Sequence, residues 1–206
     1  MNVRLEVLPP ERFGQVEGEV ARLRIEVFRD YPYLYDGSLE YERTYLAAYA
    51  RSAEALWVVA RAGTRIVGAS TGLPLADEVE ALGDPFAAGS PSKEDVFYFG
   101  ESVLLPEFRG LGLGHRFFDM REAHAQRLGR YSHTAFAAVV RAQDHPRRPR
   151  THRDLEPFWQ GRGYRPSGRH LTLSWKEIDE PKETEKPLEL WIRALPGPTG
   201  QSSGEA

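Results

Sequence analysis

Residues 106–115 read Pro-Glu-Phe-Arg-Gly-Leu-Gly-Leu-Gly-His, three alternating glycines set between an apolar run and an amphipathic one. The preceding run, Val96 to Leu104, has the composition of a buried strand. After it, Leu113, Phe117, Met120 and His124 fall on one face of a helix that reaches about Arg127. The chain must therefore pass from strand to helix through a tight glycine turn. Glycine lets the backbone turn sharply and keeps side chains out of a ligand's way. The helix start adds unpaired N–H groups and the positive end of a dipole, and together these make a socket for phosphate oxygens. A dinucleotide fingerprint is excluded, because His115 stands where its third glycine is needed, and no Gly-Lys-Ser/Thr loop for nucleoside triphosphates occurs. A turn built for packing alone does not need three alternating glycines behind an arginine.

The rest of the chain supplies strands and helices around this turn. Val3–Leu8 alternates and reads as a first strand; Val16, Val20, Leu23 and Val27 recur at helical spacing between Glu11 and Arg29. Tyr31 to Gly37 breaks that helix with three tyrosines, which either line a pocket or cover the core beneath. Ser38 is the N-cap expected for a second helix reaching Ala50. Ala55–Arg61 and Arg65–Leu73 read as a hairpin through Ala62-Gly63-Thr64, and residues 76–92 as a short helix followed by a mobile, irregular excursion. Thr134–Val140 is a strand and residues 153–160 a helix. Leu171–Trp175 is a late strand, residues 177–187 a charged linker and Leu188–Leu195 a last strand. Residues 1–195 are expected to form one domain, with a disordered tail over 196–206 rich in Gly, Ser and Pro.

Arg109-Gly110-Leu111-Gly112-Leu113-Gly114 resembles the Arg/Gln-x-x-Gly-x-Gly/Ala motif of the GCN5-related N-acetyltransferase superfamily, and Pro106-Glu107-Phe108 resembles the family's approach to it. Phe158-Trp159-Gln160-Gly161-Arg162-Gly163-Tyr164 is similar to the family's late helix and following turn. The resemblance implies an α/β (α+β) architecture: a mixed, mostly antiparallel central sheet flanked by helices, the acyl-CoA N-acyltransferase fold. It implies acetyl-CoA as cosubstrate, its pyrophosphate held by the turn of Arg109, Gly110, Leu111, Gly112, Leu113 and Gly114. The pantetheine arm would then follow the strand ending at Leu104, and the backbone at Val103 or Leu104 would steady the thioester oxygen, as a fixed amide can. His115 and Trp159 are further candidates to touch the cofactor.

For chemistry, Glu101 is the candidate general base. Strand alternation puts it on the face of Phe97, Phe99 and Val103, among apolar neighbours that raise a carboxyl pKa. The competing reading pairs it with an arginine of residues 141–170, where eight arginines meet three acids. Many family members place a tyrosine acid where this chain has Trp159, whose indole N–H is no acid at neutral pH; Tyr164, Tyr131 or water are the substitutes. His145 and His152 lack a ligand set that would make a zinc site, so no metal is expected. The arginines at 147, 148, 150 and 153 suit either the 3′-phosphate of coenzyme A or a solvated loop. A net charge of -3 gives no reason for a nucleic-acid or membrane partner. With no cysteine and no apolar run of signal or membrane length, a cytoplasmic protein is expected. A homodimer through the late strands is one possibility. The acceptor stays open between a small molecule and a protein amine. A different acyl-CoA, a non-amine acceptor and a coenzyme A-binding module without turnover remain the rival readings.

Overall fold

The computed structural model describes residues 2–82, 85–86, 89 and 91–196. Strand β1 (Val3–Leu8) leads through a short 3-10 turn into α1 (Phe13–Phe28), and Ser38 caps α2 (Leu39–Arg51) by accepting from the Tyr41 N–H at 3.2 Å. The hairpin of β2 (Leu56–Ala62) and β3 (Arg65–Pro74) follows, then α3 (Leu75–Leu82), β4 (Val96–Leu104), α4 (Leu113–Leu128), β5 (His133–Val139), α5 (Glu156–Gly161), β6 (Arg165–Trp175) and β7 (Thr184–Ala194). The expected excursion lies partly outside the described residues, as does the expected tail at 196–206, all of it but residue 196. No helix among those described is long and apolar enough to cross a membrane.

One seven-stranded sheet runs in the order β1-β2-β3-β4-β5-β7-β6. All neighbours are antiparallel except β4 and β5, so the sheet is mixed and mostly antiparallel. Side chains of β4 reach opposite faces, as the pleat requires. Phe97 and Phe99 pack on His124 and Phe118 of α4, whereas Gly100 lies against Tyr49 of α2. Helix α4 thus covers one face and α1 with α2 the other.

Two late strands begin earlier than the sequence suggests. β6 starts at Arg165 rather than Leu171, with an irregularity between Pro166 and His170 where Gly168 takes φ +71°. β7 starts at Thr184, inside the stretch read as a charged linker. Its Lys186 is buried rather than solvated, held by Glu180 at 3.0 Å and by Glu177 at 3.6 Å, with its ammonium over the Trp175 ring. Paired charges let a polar sequence act as a strand.

The buried stripe of α4 also differs from the expected one. Leu113 and Phe117 are buried, but Met120 and His124 are only half-buried, and Phe118, Arg121, Glu122 and Ala125 complete the face. Arg121 stacks on Phe99 and Phe118, and Glu122 is met by Arg162 and Arg193 at 3.0 and 2.9 Å.

Candidate active site

The glycine turn has the backbone its sequence calls for. Gly110 and Gly112 take φ +77° and +75°, a region other residues occupy only under strain, and no atom lies within 4 Å of where a Cβ would stand at either. Conformation, then, and not crowding, requires glycine here, and the turn is open to a ligand. The first bond of the helical turn runs from the Arg116 N–H to the Gly112 carbonyl, so the amides just before it have no partner within the helix. Arg109 does not cap them: its Nε donates to the Leu104 carbonyl at 3.1 Å, and its guanidinium lies 3.9 Å from Asp30. Leu111 is exposed, and the exposed His115 takes a hydrogen bond from Arg162 at 3.3 Å while its ring meets Phe158 edge-on. These open amides fit a phosphate group.

From the turn a gap leads into the sheet. β4 and β5 pair only over Val96–Tyr98 and His133–Ala135, so the β5-facing edge of β4 has no strand partner from Phe99 to Leu104. The cause is visible in the register of β3 and β4. Ser70 faces Ser102 and Gly72 faces Phe99, so Gly100 and Glu101 oppose the single residue Thr71. Such a bulge bends and twists its strand. Val103, buried opposite Ala69, and the half-buried Leu104 form the end of the open edge.

The bulge also corrects the expectation for Glu101. One extra residue reverses the alternation, so Glu101 leaves the face of Phe97 and Phe99 and joins Tyr98 and Gly100 in the wall of a cleft of about 150 Å³ on the α1–α2 side. Its partner is Arg24 of α1, at 2.6 Å, not an arginine of residues 141–170. Arg24 bridges two carboxyl groups, giving Nη1 to Glu101 and Nε to Glu42 of α2. Burial pushes the Glu101 carboxyl above its ordinary range, Arg24 opposes that shift, and the nearby Glu42 adds to it. Burial works against the Arg24 charge, but Glu101 and Glu42 hold it raised. From the α4 face, Arg121 gives Nη1 to the carbonyls of Glu101 (3.2 Å) and Thr71 (3.4 Å), clamping the bulge. Burial lowers Arg121 to about 10, which leaves it charged at neutral pH.

Aromatic side chains line the remainder. Tyr33 and Tyr35 of the α1–α2 loop line the cleft, whereas Tyr31 packs between His145 and His152. Tyr45 and Tyr49 share a hydroxyl contact of 2.8 Å behind Gly100. Beyond them Glu78 of α3 is pushed up to about 8, first by burial and then by the charge of Glu101. Neither substitute acid is free. The Tyr164 hydroxyl is buried between Thr134 and Glu122, and the Tyr131 hydroxyl is bonded to Glu54; burial raises both. Trp159 packs on Phe136 and Trp191 at 5.1 Å each.

Glu42, Arg24 and Arg121 are site residues the sequence reading did not single out. Each carried a signal. Glu42, Tyr45 and Tyr49 recur at helical spacing on α2 beside the buried Leu46, and Arg24 falls one turn after Val20 on the apolar face of α1.

No family model matches the chain, and no curated protein matches it by sequence. Solved structures match it by shape. The N-acetyltransferase from Staphylococcus aureus Mu50 aligns over 95% of this chain and 100% of its own, with TM-score 0.58 at 12% identity. An acetyltransferase of the GNAT family from Streptococcus pneumoniae aligns over the same shares, with TM-score 0.55 at 12% identity. The Salmonella typhimurium protein yncA, solved with its cofactor acetyl-CoA, aligns over 98% of this chain and 99% of its own, with TM-score 0.56 at 9% identity. The bulged β4, its parting from β5 and the glycine turn at the head of α4 thus sit within a shared architecture: this chain has the fold of the GCN5-related N-acetyltransferase superfamily.

Proposed function

We propose that the chain moves the acetyl group of acetyl-CoA to a primary amine, with Glu101 receiving the amine's proton. The observation that carries this reading is a buried carboxyl group in a cleft at the gap between β4 and β5, with an open glycine turn at the end of β4. Of the turn from Arg109 to Gly114, the Arg109 amide is bonded to the Pro106 carbonyl, so the amides from Gly110 to Gly114 bind the pyrophosphate, and the open edge of β4 lies along the pantetheine arm. The backbone N–H of Val103 or Leu104 meets the thioester oxygen, where negative charge develops. The arriving ammonium gives one proton to Glu101. The neutral nitrogen then attacks the acyl carbon; the C–N bond forms as the C–S bond breaks. The second proton on nitrogen passes to the departing sulfur directly or through water, because Tyr131 and Tyr164 are engaged elsewhere.

The Arg24 ion pair favours a second reading, in which Glu101 only ties α1 to the sheet and the chain binds coenzyme A without turnover. Calorimetric titration with acetyl-CoA tests what both readings share. Micromolar binding is expected, and it is lost in Gly112→Trp, whose indole fills the open turn. A folded wild type that does not bind contradicts both. Thioester consumption with an amine then separates them.

A further inference from the structure

Glu42 Oε1 and Glu101 Oε1 are both buried with no hydrogen bond of ordinary geometry, although Arg24 satisfies the other oxygen of each carboxyl and the Tyr35 and Thr71 hydroxyls stand near Glu42 and Glu101 respectively. Buried polar atoms left unpaired are uncommon and costly, so two in one cleft need an explanation. Among the described residues, the charges that line the cleft are one guanidinium and two carboxyl groups, a balance of one negative charge. A single incoming cation completes that balance and gives the unpaired oxygens a donor.

The walls specify the rest of the ligand. Phe28, Tyr33, Tyr45 and Trp175 surround the carboxyl pair, and Tyr35 and Tyr41 stand between this cleft and an outer hollow of about 240 Å³. Aromatic faces stabilise a cation and accept a flat apolar body. Those faces do not attract a carboxylate, and Lys176 and Lys182 line the outer hollow rather than the inner cleft. Among the described residues the one cationic side chain that lines the inner cleft, Arg24, already serves two carboxyl groups and lies over the rings of Tyr45 and Phe28 at 4.2 and 5.0 Å. A zwitterion would leave the site's negative charge uncompensated. At about 150 Å³ the inner cleft is smaller than the roughly 300–1,000 Å³ of drug-sized sites, which suits one small molecule.

We infer that Glu42, Glu101 and the aromatic cleft form a binding site for a small primary monoamine with a flat apolar body and no carboxylate. The site rests on the acetyl-transfer reading only for what happens to the amine after it binds.

The test is calorimetry on the full chain with coenzyme A present, using 2-phenylethylamine, the neutral 2-phenylethanol and zwitterionic phenylalanine. The amine is expected to bind at least ten-fold more tightly than the other two. In Glu42→Gln its advantage over the alcohol shrinks several-fold. Phenylalanine or the alcohol matching the amine overturns the inference, and the three wild-type titrations decide it even where the variant fails to fold. Acetyl-CoA titrated into the same sample keeps the two claims apart. Amine binding without acetyl-CoA binding supports this site and defeats acetyl transfer. Consumption of acetyl-CoA with other amines, and no binding of 2-phenylethylamine, does the reverse.

Discussion

Glu78 shows how far burial shifts a single residue here. It projects from α3 near Tyr49, Tyr98 and the Arg24–Glu101 pair, and burial followed by the Glu101 charge raises it from 4.5 to about 8. Between these values the folded chain holds a proton that the unfolded chain has released. Its stabilising share is therefore complete below about 4.5 and is lost as pH rises through about 8. In urea unfolding this group should contribute a fall in stability over that window of at most roughly 1.4 kcal/mol per pH unit, read as the difference between wild type and a Glu78→Gln variant. In Glu78→Gln the fall becomes shallower; an unchanged slope would show that Glu78 is ionised in the fold. Residue identity alone did not disclose these environments. Glu101 stood out because it sits in an apolar strand, but its partner Arg24 lies 77 positions away and on another element. Arg121 and Glu122 look like solvent-facing charges until the sheet is laid over α4.

Elements with one clear period were readable. The β2–β3 hairpin, α2 with its Ser38 cap and the strand–turn–helix around the glycines all lie within a residue or two of where spacing puts them. The bulge in β4 was not readable, since Gly100-Glu101 fits a regular strand as well as a bulged one. It is set by pairing with β3, which alternation does not encode, and it decides the face on which Glu101 lies. Likewise Thr184 to Pro187 reads as linker because its strand character comes from ion pairs made across the sheet. The glycine turn permits a prediction at this scale, since conformation and space separate there. Gly112→Ala keeps the turn open but places a Cβ at φ +75°, so unfolding should show a loss of roughly 1–2 kcal/mol with acetyl-CoA affinity within a few-fold of wild type. Gly112→Trp carries the same strain and also loses the affinity. If the alanine variant lost affinity as completely as the tryptophan one, backbone shape and not open space would govern binding.

Across the whole molecule, the sheet divides the labour. Helix α4 brings the glycine turn to one end of the β4–β5 gap, α1 and α2 bring Arg24 and Glu42 to the cleft at its side, and the bulge sets Glu101 in the wall of that cleft. The overall architecture was legible because the glycine motif and the element order agree. The aromatic cleft was not, because it is assembled from loops and helix faces that meet only in the fold. Proton transfer to Glu101 is the claim on which these parts converge. Its most direct test is kcat/KM for acetyl-CoA and 2-phenylethylamine against pH, in wild type and Glu101→Gln. Wild-type activity should rise with pH through an ionisation above the ordinary glutamate value to a plateau, and Glu101→Gln should fall about 10²–10⁴-fold while binding acetyl-CoA as before. A Glu101→Gln variant with wild-type kcat/KM and an unaltered pH profile would contradict that role.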